Sequence, residues 1–299
     1  MDELKRYLVE EFVEDFRQGR LSRRDALRLI AGMTSAALAA QVVDANAQQA
    51  APASVPAAPA VSALAVAPDD PAIVATVVRF PGVDAELSGY LARPSRAGRF
   101  PIVLVCHENR GLTPHIEDVT RRIAKAGDVA LAVDLLSRDG GTAGHAFDAI
   151  PALLSKAPSG QAVRDFQCAL SYAQAQPYAR PDRAGMTGFC FGGGVTWRVA
   201  AATPEIAAAV PFYGLPLPAE DVPRIKAAVL AIYAGRDERI NAAIPAVDAA
   251  MQANGKTFRK IVYPDVEHAF HNDTGARFNA DAARGAWEET IAWFGKYLA

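Results

Sequence analysis

Apolar and polar positions fall into a regular alternation from about residue 71 onward. Residues 101–106, Pro-Ile-Val-Leu-Val-Cys, form an unbroken apolar run, the pattern of a strand covered on both faces. Mostly apolar segments at 129–134, 184–189, 207–213 and 227–234, and the segment 258–263, predict further strands. Between them, 116–126, 161–176, 195–202, 244–254 and 281–297 carry helical patterns. Residues 73–80 and 87–92 flank the turn signal Pro81-Gly82 and predict an antiparallel hairpin at a sheet edge. Strands that alternate with helices imply an α/β fold: a doubly wound, mostly parallel sheet with helices on both faces. Right-handed crossovers then gather the C-terminal ends of the strands along one edge.

The first 47 residues follow a different pattern. Leu8, Phe12 and Phe16 recur every four residues and predict an amphipathic helix. Arg23 and Arg24 then precede a weakly apolar run at 29–40 and the small-residue site Ala45-Asn46-Ala47. That run is far short of the roughly 20 residues a membrane span needs. The order of features reads as an export leader over 1–47, and the arginine pair resembles a twin-arginine leader. Ala26 departs from that pattern, which has a large apolar residue at its position. The leader implies export machinery as a partner and a periplasmic location, or a cytoplasmic one if it does not function. An N-terminal helix pair that stays with the protein is the alternative. Residues 48–69, rich in Ala and Pro, read as an unstructured linker, which leaves 70–299 as the α/β domain.

Composition narrows the function classes. A formal net charge of -2 over 299 residues offers nucleic acid no electrostatic footprint. Three cysteines, Cys106, Cys168 and Cys190, lack the spacing of a disulfide framework or a zinc site, so at least one is a free thiol. No motif calls for a cofactor or metal. The oligomeric state is left open, a monomer included.

Candidate chemistry sits where strands end. Gly188-Phe189-Cys190-Phe191-Gly192 joins a strand to a helix in the nucleophile-elbow pattern, with cysteine in place of serine. The following helix would turn its positive end toward the sulfur and favour a thiolate. Asp237 follows the run at 227–234, and His268 follows the one at 258–263, giving the order nucleophile, acid, histidine. Glu238 and His271 are the rivals at those two positions. His268-x-x-His271 also has metal-like spacing, but no third ligand is marked. After the strand at 101–106 comes the loop His107-Glu108-Asn109-Arg110-Gly111. In an α/β hydrolase that loop supplies one oxyanion-hole N–H, here Asn109, and the residue after the nucleophile supplies the other, here Phe191. Glu108 would bring negative charge toward an incipient thiolate and raise its pKa, unless it is a surface residue paired with Arg110.

These four segments, in this order, resemble the dienelactone hydrolase family (carboxymethylenebutenolidases) over roughly residues 70–299. The resemblance implies an α/β-hydrolase fold and a Cys190–His268–Asp237 triad that cleaves a small lactone or ester. It also implies that Glu108 holds the resting thiol until substrate releases it. Arg138 matches one of the family's carboxylate-gripping arginines, and Tyr213 matches a pocket-lining position. The second arginine expected after the histidine is replaced, the chain reading His271-Asn272-Asp273 there. A thiol redox role for Cys106 and Cys190 and a non-catalytic binding scaffold are the two alternatives of other classes.

Overall fold

The computed structural model describes residues 3–51 and 62–299. Eight strands form one sheet in the order β1-β2-β4-β3-β5-β6-β7-β8. They are β1 (Ile73–Pro81), β2 (Glu86–Pro94), β3 (Phe100–Cys106), β4 (Val129–Asp134), β5 (Ala179–Phe189), β6 (Ile206–Phe212), β7 (Ala228–Ala234) and β8 (Phe258–Tyr263). β2 pairs antiparallel with both β1 and β4, and every other pairing is parallel. The central strands β4 and β7 are buried along their whole length, as their unbroken apolar runs require. β8 alternates between half-buried and exposed positions because it closes the sheet at its edge.

The helices are α1 (Glu3–Arg17), α2 (Arg23–Met33), α3 (Ala36–Asn46), α4 (Pro114–Ala126), α5 (Ile150–Leu154), α6 (Gln161–Gln174), α7 (Phe191–Ala202), α8 (Glu238–Asn241), α9 (Ile244–Ala253) and α10 (Ala280–Tyr297). α5 and α8 are too short to leave a periodic signature in sequence. α7 begins four residues before its apolar pattern does, because Gly192, Gly193 and Gly194 form its first turn. Glycine disfavours helix by roughly 1 kcal/mol per residue, a cost that close packing against β6 offsets here.

The N-terminal helices lie on this body. Leu8, Phe12 and Phe16 are buried, as are Ile30, Met33 and Val43, all in one hydrophobic core with the sheet. Among the described residues no helix is long and apolar enough to cross a membrane. The middle of the expected linker, residues 52–61, lies outside the described residues. Its far end is not loose: the Val66 N–H donates to Asp118 at 2.7 Å, and the Val66 carbonyl accepts from Arg121 at 2.6 Å. The reading of 48–69 as unstructured throughout is corrected there, since two buried hydrogen bonds fix Val66 against α4.

Candidate active site

Cys190 stands between β5 and α7 with φ 59° and ψ -120°. A non-glycine residue in that region costs on the order of 1–3 kcal/mol. The cost is met by surrounding bonds: its N–H donates to Phe212 O at 3.1 Å, and its carbonyl accepts from Gly193 at 3.0 Å. Neighbouring backbone leaves no room for side chains. A Cβ on Gly188 would sit 2.3 Å from Gly192 O, and one on Gly192 would sit 2.5 Å from Cys106 O.

Asp237 ends the turn after β7 and uses both oxygens. One accepts from Ile240 N at 3.2 Å and caps α8; the other faces His268 Nδ1 at 2.5 Å. The rival Glu238 is exposed. Burial would push the Asp237 carboxyl up, but the His268 charge and hydrogen bond outweigh it and hold it low. His268 is itself buried, and its Nε2 has no hydrogen-bond partner. The Cys190 sulfur, a His268 ring nitrogen and a Glu11 carboxylate oxygen lie within 4.8 Å of one another. His271 is set apart, stacked on Phe189 at 5.1 Å with neither ring nitrogen bonded. Burial, and then the charges of His115 and Arg122, push its pKa well below the ordinary value, so it is a neutral core histidine.

The carboxylate on the thiol comes from an unexpected element. Cys190 Sγ lies 3.4 and 3.5 Å from the two oxygens of Glu11, and 3.4 Å from the Tyr7 hydroxyl, both on α1. Glu108 is buried rather than paired with Arg110, and its Oε2 accepts from Asn272 Nδ2 at 2.6 Å. Glu108 therefore acts on the sulfur by charge and makes no hydrogen bond to it. Burial first, then Glu11 and Glu108, push the thiol well above its usual pKa, against the hydrogen bonds of Tyr7 and the Phe191 N–H. The helix end that was expected to favour a thiolate is outweighed, and the resting group is a thiol.

Asn109 and Phe191 both border Cys190; Asn109 also donates its side-chain amide to Glu11 at 2.9 Å. Tyr213 is fully buried at φ 34°, with its ring 4.9 Å from that of His268. It backs the histidine and does not line the cavity over Cys190. Arg138 lies elsewhere, its guanidinium held by Asp165 at 2.8 and 2.9 Å and by Asp84. Arg138 does not line the cavity over Cys190, and two carboxylates hold its donors.

A cavity of about 330 Å³ opens over Cys190 and His268, walled by Glu108 and Asn109 and roofed from α1 by Glu11 and Phe12. A second, mainly apolar cavity of about 300 Å³ is lined by Tyr7, Phe191, Leu135, Val195 and Leu215. Glu11, Cys190 and His268 also form a donor set that could hold a metal ion, whereas the His271 nitrogens of the H-x-x-H spacing are not part of it. Tyr7, Glu11 and Asp15 were missed in the sequence because α1 was assigned to a leader. The signal was present: at spacing four they form a file beside the Leu8, Phe12, Phe16 stripe.

This fold and this strand-end constellation define a hydrolase class. The chain belongs to the dienelactone hydrolase family, which it matches over residues 87–298. It is 36% identical over 252 residues to a Methylorubrum extorquens protein named "Putative carboxymethylenebutenolidase", covering 80% of this chain and 87% of that one. An Escherichia coli K12 protein of the same name is 34% identical over 257 residues, with 81% and 93% covered. Among solved structures, one titled as a dienelactone hydrolase of Klebsiella pneumoniae ("Putative" in its title) superposes with TM-score 0.70 at 33% identity, over 76% of this chain and all of that one.

Proposed function

We propose that this protein hydrolyses a lactone or activated carboxylic ester through a thioester on Cys190. The observation that carries the reading is the 2.5 Å contact of Asp237 with His268 Nδ1, which leaves the opposite ring nitrogen unbonded, together with a His268 ring nitrogen within 4.8 Å of the buried sulfur. His268 takes the thiol proton as sulfur attacks the carbonyl carbon. The N–H groups of Asn109 and Phe191 receive the oxyanion. Collapse breaks the carbon–oxygen bond, and His268 returns the proton to the leaving oxygen, which stays tethered if the substrate is a lactone. Water, deprotonated by His268, then attacks the thioester carbonyl; the carbon–sulfur bond breaks, the acid is released, and His268 returns the proton to the sulfur.

A thiolate leaves readily, which favours reactive enol esters over amides and unactivated esters. The names of the relatives support a lactone. In the full chain the cavity carries Arg20, Arg110 and Arg277 opposite Glu11, Asp15 and Glu108; without residues 1–47 it would keep Arg110 and Arg277 against Glu108, which suits a carboxylate-bearing substrate. Cys190→Ala is expected to abolish turnover of an activated aryl ester; unchanged hydrolysis in that variant sinks the assignment.

Residues 1–47 belong to this reading as a twin-arginine export leader with a periplasmic destination. It rests on Arg23-Arg24 and on the small-residue site ending at Ala47. N-terminal sequencing of periplasmic protein should then begin near residue 48, and material that starts at Met1 contradicts it.

A further inference from the structure

We propose that Glu11 is a positioning residue of this active site: in the full chain it accepts the hydrogen of the Cys190 thiol and keeps it from His268, so that the nucleophile is released only when α1 gives way. Both Glu11 oxygens lie at hydrogen-bond distance from Sγ, 3.4 and 3.5 Å. A thiol has one hydrogen to give. With that hydrogen directed to Glu11, the Tyr7 hydroxyl at 3.4 Å donates to the sulfur. Asn109 fixes the carboxylate by donating to Oε1 at 2.9 Å. Glu108 makes no hydrogen bond to the sulfur; its Oε2 accepts from Asn272 and its Oε1 has no partner among the described residues.

Helix α1 is fastened to each loop that bears part of the site. Asn109 belongs to the loop after β3. Arg239 on α8, just beyond Asp237, lies over the Tyr7 ring at 4.6 Å. Past His268, Arg277 reaches Asp15 at 3.2 Å, and Arg20 ties Asp15 at 2.8 Å to Glu267 at 3.2 Å. The same helix buries Leu8 and Phe12 in the core. The charged and titratable groups around the sulfur are thus Tyr7 and Glu11 from α1, Glu108 and Arg110 after β3, Tyr213 after β6, and His268 and Arg277 after β8, with Arg239 facing Tyr7 and Glu11. Cleavage after Ala47 would remove Glu11 along with the leader, which makes the unprocessed chain the guarded form.

The inference rests on the proposed function only in taking Cys190 as the nucleophile, and its test needs no turnover. The rate of iodoacetamide alkylation at Cys190 in the full chain is followed by peptide mass against pH. Glu11→Gln should lower the midpoint by at least about one unit, a ten-fold gain in thiolate near neutral pH. The weaker nucleophilicity of a less basic thiolate takes back about three-fold, which leaves a net acceleration of roughly three-fold. Tyr7→Phe removes a donor to the sulfur and should move the midpoint the other way. Helix loosening alone would shift both variants in the same direction, toward an ordinary exposed thiol. Coincident E11Q and wild-type profiles, or shifts of the same sign in E11Q and Y7F, overturn the proposal. Should E11Q fail to fold, Glu11→Asp decides: a midpoint below wild type supports the role, and an unchanged one overturns it. If the shifts appear while E11Q, whose thiol is no longer held, hydrolyses no ester or lactone, the positioning role stands and the thioester reading falls.

Discussion

Two histidine–aspartate pairs are buried at the same end of this molecule, and only one is arranged for chemistry. His268 faces Asp237 through Nδ1 at 2.5 Å, and His115 on α4 faces Asp273 through Nδ1 at 2.8 Å. In both, Nε2 has no hydrogen-bond partner. The pairs differ in what holds the second carboxylate oxygen and in what lies beyond the ring. Asp237 uses its second oxygen to cap α8, whereas Asp273 gives its own to Arg122 at 2.6 Å. Arg122 also binds Asp118, which in turn holds Val66. Beyond His268 stands the Cys190 sulfur; around His115 stand the rings of Phe189 and His271, at 6.3 and 5.6 Å. A buried His–Asp pair becomes a general base only with a nucleophile on its far side. Without one it is a clamp, here fastening the segment after His268 to α4.

The largest test of this contrast is kinetic. His268→Gln is expected to lower kcat/KM for an activated ester by roughly 10³–10⁴ with the fold intact, while His115→Gln changes it by less than about three-fold. Equal losses in the two variants would break the distinction. Next comes Arg122→Ala, which leaves two buried carboxylates short of a cation and should cost about 3 kcal/mol in a urea melt. It should leave the alkylation profile of Cys190 in place, because Arg122 holds the clamp and not the triad. Arg138 belongs with the clamps: Arg138→Ala strips a buried Asp165 of its ion pair. A loss of stability of similar size is expected, with KM within about two-fold of wild type; a large KM increase would restore it to substrate binding.

The middle of the sheet was legible because strands such as β3 and β7 are apolar runs, and β4 and β8 fall on the residues predicted for them. Cys190, Asp237 and His268 were legible because each follows a strand the sequence predicts, so the strand ends bring them to one edge. The contact of Glu11 with the thiol was not. It depends on a helix some 180 positions earlier in the chain folding back over the site, and no local pattern states where an amphipathic stripe will dock. The ion pairs of Arg138 were hidden for a related reason. Its place after β4 is family-like, but its guanidinium is drawn to Asp84 and Asp165, and only the assembled fold shows that both are within reach. The glycines of α7 hid the start of a helix because propensity is local and the packing that overrides it is not.

The finest distinction between the two pairs lies in acid. Burial would raise the Asp273 carboxyl, but the His115 hydrogen bond and the Arg122 charge outweigh it and hold it far below the usual carboxylate range. Asp237 is also held low, with its ion pair to His268 opposing burial. A carboxyl whose pKa is lower in the folded chain than in the unfolded one stabilises the fold at pH values above about 4, and that contribution is lost as pH falls from there toward the folded value. Asp273 has two cationic partners against it where Asp237 has chiefly one, so it should carry more of the acid sensitivity. Asp273→Asn should therefore be less stable than wild type at pH 7 yet lose less on going to about pH 2.5, measured as the shift in urea midpoint. Asp237→Asn should flatten that dependence by a smaller amount. If Asp237→Asn flattens it more, the clamp is not the stronger ion pair, and the division between a pair built to hold and a pair built to transfer a proton fails.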